Sequence, residues 1–361
     1  MSGPMTGSLQ QLAIKKCGVG AGGTWNEAVA CGAGDGILFL SGQAKPTAPS
    51  AVDQSRGRAY AIDQTKGAIS CPATYKLALR YAGFELLAAM YMGTAGLPAQ
   101  QAATTAYLHT LLWNTDPYGL MITVAKNMIA YIEEVTTAKV VGVVISGEAG
   151  TTDPLSLELE LIGSQREVAS TVNTLATWAN VTLPTDADKY PVMFSHTQFR
   201  LNLQSGAALG AGDIIYPTSF NLSMKRKMKG DFTGQYRTSA SSPQDLCDEP
   251  SNDGFPEKKL TLTFPKHSSA TYMTALQNDT RYKGDITATG PQIASPYNYY
   301  HKWEFPHMVL VNAQPTDDQG RIKEPLEFDL VGCAAAPTGM TGLTAPVRWD
   351  IMSKRSTDPL A

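Results

Sequence analysis

Gly18-Val-Gly20-Ala-Gly-Gly23 carries the G-x-G-x-x-G spacing whose backbone, set between a strand and a helix, cradles a dinucleotide pyrophosphate. Here a polar segment precedes the glycines and TWNEAVACGAGDG follows, so the run reads as a flexible arm rather than a nucleotide site. Imidazoles for acid–base or metal work come from His109, His196, His267, His301 and His307. No two of them stand at i, i+4 spacing. His301 and His307 flank a strand-like segment, and core or surface roles fit them better than a metal. Glu133 and Glu134 are neighbours on a strand, so they point to opposite faces and cannot share a substrate. Asp317 and Asp318 sit in a turn signal. The sequence has no G-x-x-x-x-G-K-[ST] loop, no G-x-S-x-G elbow and no H-E-x-x-H pair. No catalytic residue, cofactor or metal is therefore assigned, and the chain is not expected to be an enzyme.

Three other groups bear on binding. Tyr297-Asn-Tyr-Tyr-His-Lys-Trp303 concentrates aromatic rings. Such rings stack on bases or anchor subunit interfaces, and the interface is preferred, with Tyr299, Tyr300 and Trp303 as its candidates. Lys225-Arg-Lys-Met-Lys229 is the one dense basic run; it binds phosphate, pairs with acids of a neighbouring subunit, or is solvated. Glu158 and Glu160 alternate with Leu157, Leu159 and Leu161, and Glu327 and Asp329 do the same beside Leu326, Phe328 and Leu330.

These groups must be positioned mainly by strands. Met128 to Gly163 is the clearest β region, with a turn at Ala149-Gly-Thr-Thr-Asp-Pro154. Ile37 to Leu40 and Ala68 to Arg80 read as strands, the latter running into a helix, Phe84 to Gly93, that ends at its glycine. Residues 94–110 are ambiguous. FRLNL (Phe199 to Leu203), SFNLSMKRK (Ser219 to Lys227), KKLTLTF (Lys258 to Phe264), KWEF, PHMVLVNA and LEFDLVG read as later strands. HSSATYMTALQND reads as a second helix with Ser268 or Ser269 as N-cap.

With 361 residues, the chain is long enough for two domains of about 150 residues. Charged residues make up only 17%, which suits a surface hidden against copies of itself. The net charge of −3 gives no general drive toward nucleic acid or an acidic membrane. The five cysteines, Cys17, Cys31, Cys71, Cys247 and Cys333, are odd in number and form no C-x-x-C pair, so they read as reduced thiols. No signal peptide is visible, and no apolar run approaches the ~20 residues that span a bilayer.

The second half repeats the plan of the first: strand, long polar loop, strand, helix, closing strands. Leu157-Glu-Leu-Glu-Leu-Ile-Gly163 resembles Leu326-Glu-Phe-Asp-Leu-Val-Gly332, an offset of 169 positions, and Ile132-Glu-Glu-Val135 resembles Lys302-Trp-Glu-Phe305 at 170. The expected fold is β-rich (α+β), with two tandem β-sandwich or barrel domains, each flanked by a helix. The boundaries expected are an arm at 1–35, domain one at 36–165, a linker at 166–195, domain two at 196–336 and an arm at 337–361.

Three runs carry a resemblance to a family: Gly67 to Gly93, Val140 to Arg166, and Phe199 to Phe232 with the following KKLTLTFP. They look like the core of phage tail tube proteins with tandem tube domains, of the siphophage major tail type. The resemblance implies a structural subunit that self-assembles into stacked rings, a conduit for DNA into the host. Three two-domain copies would make one homotrimeric ring. Its partners would be itself, the tape measure protein, tail terminator or baseplate proteins, and DNA in unspecific transit, with no membrane anchor. It would be assembled in the host bacterial cytoplasm and end in the virion tail. Residues 41–67 and 228–257 would reach the neighbouring ring, with Arg56, Arg58, Lys229 and Arg237 as contact candidates. Glu158, Glu160, Glu327 and Asp329 would make an acidic, DNA-repelling lumen, or else be the solvated faces of ordinary strands. Two alternatives stay open: the tube of a tail-like particle or gene transfer agent, and a carbohydrate-binding β-sandwich module of a virion.

Overall fold

The structure is a computed structural model and describes residues 9–17, 24–47, 50–52, 64–66, 69–186, 189–232, 247–267 and 269–361. Gly18 to Gly23, Arg56, Arg58, Arg237 and Ser268 lie outside the described residues.

Fourteen strands and two helices carry the architecture. In the first half these are β1 (Gln11–Lys16), β2 (Ser41–Ala44), β3 (Cys71–Ala78), α1 (Glu85–Met92), β4 (Tyr107–Leu112), β5 (Ile122–Asn127), β6 (Ile132–Glu148) and β7 (Ser156–Gly163). In the second they are β8 (Thr197–Leu203), β9 (Ser219–Lys225), β10 (Glu257–Phe264), α2 (Thr271–Gln277), β11 (Arg281–Ala294), β12 (Tyr297–Asn312), β13 (Arg321–Leu330) and β14 (Arg348–Ser353). The chain is β-rich, as its alternating segments require, and every ladder between these strands is antiparallel.

The first half pairs in the order β2–β3–β7–β6–β5–β1. The second pairs as β9–β10–β13–β12–β11–β8. The two orders are the same when read along the chain. In each half one long strand, β6 or β12, serves two layers. β6 runs 17 residues with register shifts between Val135 and Ala138 and between Val140 and Gly142. Such irregularities bend a strand, so its start pairs with β5 and its end with β7. Inward side chains of both layers make one core that runs through both halves, including Tyr75, Leu159, Leu222, Leu260, Phe328 and Trp303.

Two joints connect the halves. Residues 142–148 of β6 pair with all of β9. β14 pairs with β12 on one side and β4 on the other. A continuous eight-stranded sheet results: β2–β3–β7–β6–β9–β10–β13–β12.

Several local expectations change. The polar stretch that begins at Ser41 opens with strand β2. The Gly-rich start contains β1, whose Leu12, Ala13 and Ile14 are buried, and the polar C-terminal stretch contains β14. Residues 166–195 include Arg166–Glu167, paired with β6, and a short helix, Leu175–Trp178, whose Trp178 packs on Ala13, Ala125 and Ile132. The N-cap of α2 is Ala270 and has no side-chain bond; the Ser269 hydroxyl instead accepts from the Thr271 amide at 3.4 Å. α1 ends as expected, with Gly93 at φ 80°, where its missing Cβ removes the left-handed penalty.

Candidate functional site

Alternation on the eight-stranded sheet sends one set of side chains into the core and leaves the other on an outer face. Register then decides which outer side chains meet. Glu158 stands opposite Lys76 and Val144, and Glu160 opposite Thr74 and Gly142. Glu327 stands opposite Thr261 and Asn312, and Asp329 opposite Lys259 and Val309. All four acidic candidates therefore share one face of one sheet. Its rungs carry Glu148, Glu158, Glu160, Glu257, Glu327 and Asp329 against Lys76, Lys225 and Lys259. The face is acidic by a small margin and laced with ion pairs. Lys225 Nζ lies 2.5 Å from Glu160, Lys259 Nζ 2.7 Å from Glu327, and Lys227 Nζ 2.8 Å from Glu257. Glu327 raises the ordinary value of Lys259, and Lys227 lowers that of Glu257. Such exposed pairs contribute little stability individually; they set the charge pattern.

The aromatic candidates are divided by the same alternation. Tyr299 and Trp303 are 1% and 0% exposed and belong to the core, so their rings offer no area to another subunit. Tyr299 donates its hydroxyl to Asp186 at 3.1 Å, and the Trp303 and Trp349 rings lie 5.4 Å apart. Tyr300 is half-buried on the other face.

The basic run is divided too. Lys225 and Lys227 bond to carboxylates of their own chain. Arg226 turns inward, its guanidinium 3.8 Å from the centre of the Trp113 ring. It donates to the carbonyls of Tyr91, Met92 and Asn114, covering the C-terminal end of α1. Burial pushes it down to about 10, so it stays charged near neutrality. Sequence reasoning missed this buried cation; its place just past β9, in phase with the inward Phe220, Leu222 and Met224, was the available signal. Lys229 is exposed, 3.9 Å from Asp231. The described base of the 228–257 stretch lies on the first half: Lys139 pairs with Glu249 at 2.5 Å, and Asn252 donates to the Thr115 carbonyl at 2.7 Å.

Two of the histidines, His109 and His301, serve packing. His301 is fully buried, its Nδ1 accepting from Trp349 Nε1 at 3.1 Å, which leaves Nε2–H to donate to the Arg80 carbonyl at 2.9 Å. Burial pushes it down to about 4, so it is neutral. His109 is buried and bonded through Nε2 to the Arg355 carbonyl at 2.9 Å. His196 lies beside the Tyr81 ring. Burial pushes the Cys17 and Cys71 thiols up to about 11 and Cys31 to about 12, which suppresses thiolate chemistry. Among the described residues, no group of three His, Cys, Asp or Glu could hold a metal ion, and no helix is long and apolar enough to cross a membrane.

A β-rich chain with one continuous sheet and a charge-laced face, with His109, His301 and four of its five thiols held in packing, has the build of a structural subunit. Residues 7–330 match the family model described as phage tail tube protein, and the chain belongs to that family. It is a structural component of a virion tail, a subunit that associates with itself into a tube and with other tail proteins. No curated protein matches the chain.

Proposed function

We propose that three copies form one ring of the tube, each chain supplying two of six similar positions, and that the charge-laced face lines the lumen. The carrying observation is the repeated strand order, β2–β3–β7–β6–β5–β1 followed by β9–β10–β13–β12–β11–β8. The repeat favours two domains, the first at 36–165 completed by β1 from segment 1–35 and the second at 196–336, joined through 166–195 and followed by segment 337–361. The lumen is mildly acidic and its charges are neighbours of opposite sign. Such a wall repels phosphates weakly and offers no basic track on which DNA would stall. The stretches that follow β2 and β9 are assigned to contacts with the next ring, with Arg56, Arg58, Lys229 and Arg237 among them. The chain's work is mechanical rather than catalytic. Its further partners are a tape measure protein inside the tube and terminator or baseplate proteins at its ends. Assembly takes place in the host bacterial cytoplasm.

Native mass spectrometry of rings released from assembled material tests the stoichiometry. A species of three chains is expected. A ring of six chains would contradict the assignment of two positions to each chain.

A further inference from the structure

A buried cation is normally paired, because an ammonium or guanidinium taken out of water without an anion is costly. Two buried cations here have no carboxylate partner among the described residues. Lys258 and Arg226 are 8% and 5% exposed and share one aromatic ring. The Lys258 ammonium lies 4.3 Å, and the Arg226 guanidinium 3.8 Å, from the centre of the Trp113 indole. The acids close to them in sequence or structure are taken: Glu257 pairs with Lys227, and Glu249 with Lys139. Arg226 gives Nε and one terminal nitrogen to backbone carbonyls, which leaves the other terminal nitrogen without a bond. Lys258 has the indole face and no hydrogen-bond acceptor among the described residues. Burial first, then the neighbouring guanidinium, push it down to about 8. An aromatic face offsets part of that cost but supplies no negative charge.

The opposite charge stands free at the far end of the same strands. Lys258 pairs with Met224 near the end of β9, whereas Ser219 at its start pairs with Glu148. From Ser219 to Met224 the extended chain covers about 17 Å. Glu148, the last residue of β6, and Asp153, in the turn to β7, are exposed and form no ion pair among the described residues. Between them lies a groove of about 380 Å³, also lined by Ser146, Thr151 and Ser219. The corresponding turn of the second half, between β12 and β13, is not free in this way. There Lys323 holds Asp318, and Asp317 accepts from the Gly320 amide at 2.9 Å.

We infer that Arg226 and Lys258 form a docking site for a carboxylate of a second copy, supplied by Glu148 or Asp153 of the turn between β6 and β7. This rests on the stacked rings proposed above and names charges that hold one ring on the next. A carboxylate set between the ammonium and the free guanidinium nitrogen satisfies both, as an ion pair enclosed in an interface does. Phe255 stands at the same end of β10 and is 92% exposed, so it offers the apolar rim that keeps water from such a pair. An acid at one end of a subunit and its receptor at the other make a head-to-tail contact. Such a contact repeats along a line, as stacking requires.

Carbodiimide coupling of assembled tubes tests the contact. The reagent activates a carboxylate as an O-acylisourea; a touching lysine amine then displaces the urea and leaves an amide. The expected product is a covalent dimer whose digest holds Lys258 joined to Glu148 or Asp153. It should be absent from the unassembled chain, where β9 holds those groups apart. Tubes in which Lys258 couples to neither acid would overturn the pairing while leaving the stacked rings. Failure of the parent chain to form rings or tubes would overturn the reading on which this one rests.

Lys258→Met supplies an independent arm. Removing an unpaired buried cation should leave the unassembled chain's melting temperature at or above the parent's. Tube formation at equal concentration, read by sedimentation, should fall at least about tenfold. A lower melting temperature with tubes formed as in the parent would make Lys258 a packing residue and overturn the docking role. Inorganic phosphate is the control for a free ion. A phosphate-induced rise in the parent's melting temperature that Lys258→Met abolishes would assign the site to small anions and overturn the inference.

Discussion

His301 shows how a single residue's role is set by partners far away in the sequence. Trp349 and Arg80 hold its neutral ring between them, and burial keeps its value at about 4, below the ordinary 6.5. The unfolded chain therefore takes up the proton first as pH falls. Stability from the neutral ring is fully present above about 6.5 and is lost as pH drops toward 4. Between pH 7.5 and pH 5 the loss is about 2 kcal/mol from this residue. Urea midpoints at the two pH values should show it, and His301→Gln should remove that part of the slope. An unchanged slope in the variant would contradict the assignment. Sequence could identify His301 as unsuited to a ligand set. It could not show which of five histidines is buried, because that depends on strands that meet only in the fold. The acidic candidates were more legible: strict alternation with leucine placed Glu158, Glu160, Glu327 and Asp329 on one side of their strands. Tyr299 and Trp303 were not, because the aromatic run gave no sign of which rings face inward.

Among the elements, α1 shows what a helix end requires. Its last carbonyls lack helical partners, and Arg226, the residue after β9, supplies donors with its guanidinium 3.8 Å from the centre of the Trp113 ring. Replacing that side chain leaves buried carbonyls unbonded and exposes a gap over the indole. Arg226→Met should cost roughly 3 kcal/mol, read as a lower thermal midpoint, with Arg226→Lys restoring only part because an ammonium cannot fork across three carbonyls. A loss below about 1 kcal/mol would contradict the anchoring role. The existence of α1, β3, β7, β9, β10 and β13 was legible from periodicity, since each pattern is local. The 17-residue span of β6 was not, because bulges interrupt its alternation and hide its continuity.

For the whole molecule, the like alternation of residues 157–163 and 326–332, 169 positions apart, was legible, and those two segments hold the same place in the repeated strand order. The joints between the halves were hidden. β6 meets β9, and β14 lies between β12 and β4, through pairings that join segments remote in sequence. The eight-stranded sheet emerges only from those joints. In the ring proposed above, three such sheets share the wall of the lumen.

Electron cryo-microscopy of the assembled tube tests this most directly. The expected map has three chains per ring, with Glu158, Glu160, Glu327 and Asp329 on its inner wall. A ring of six chains, or a wall that turns those carboxylates away from the lumen, would contradict it.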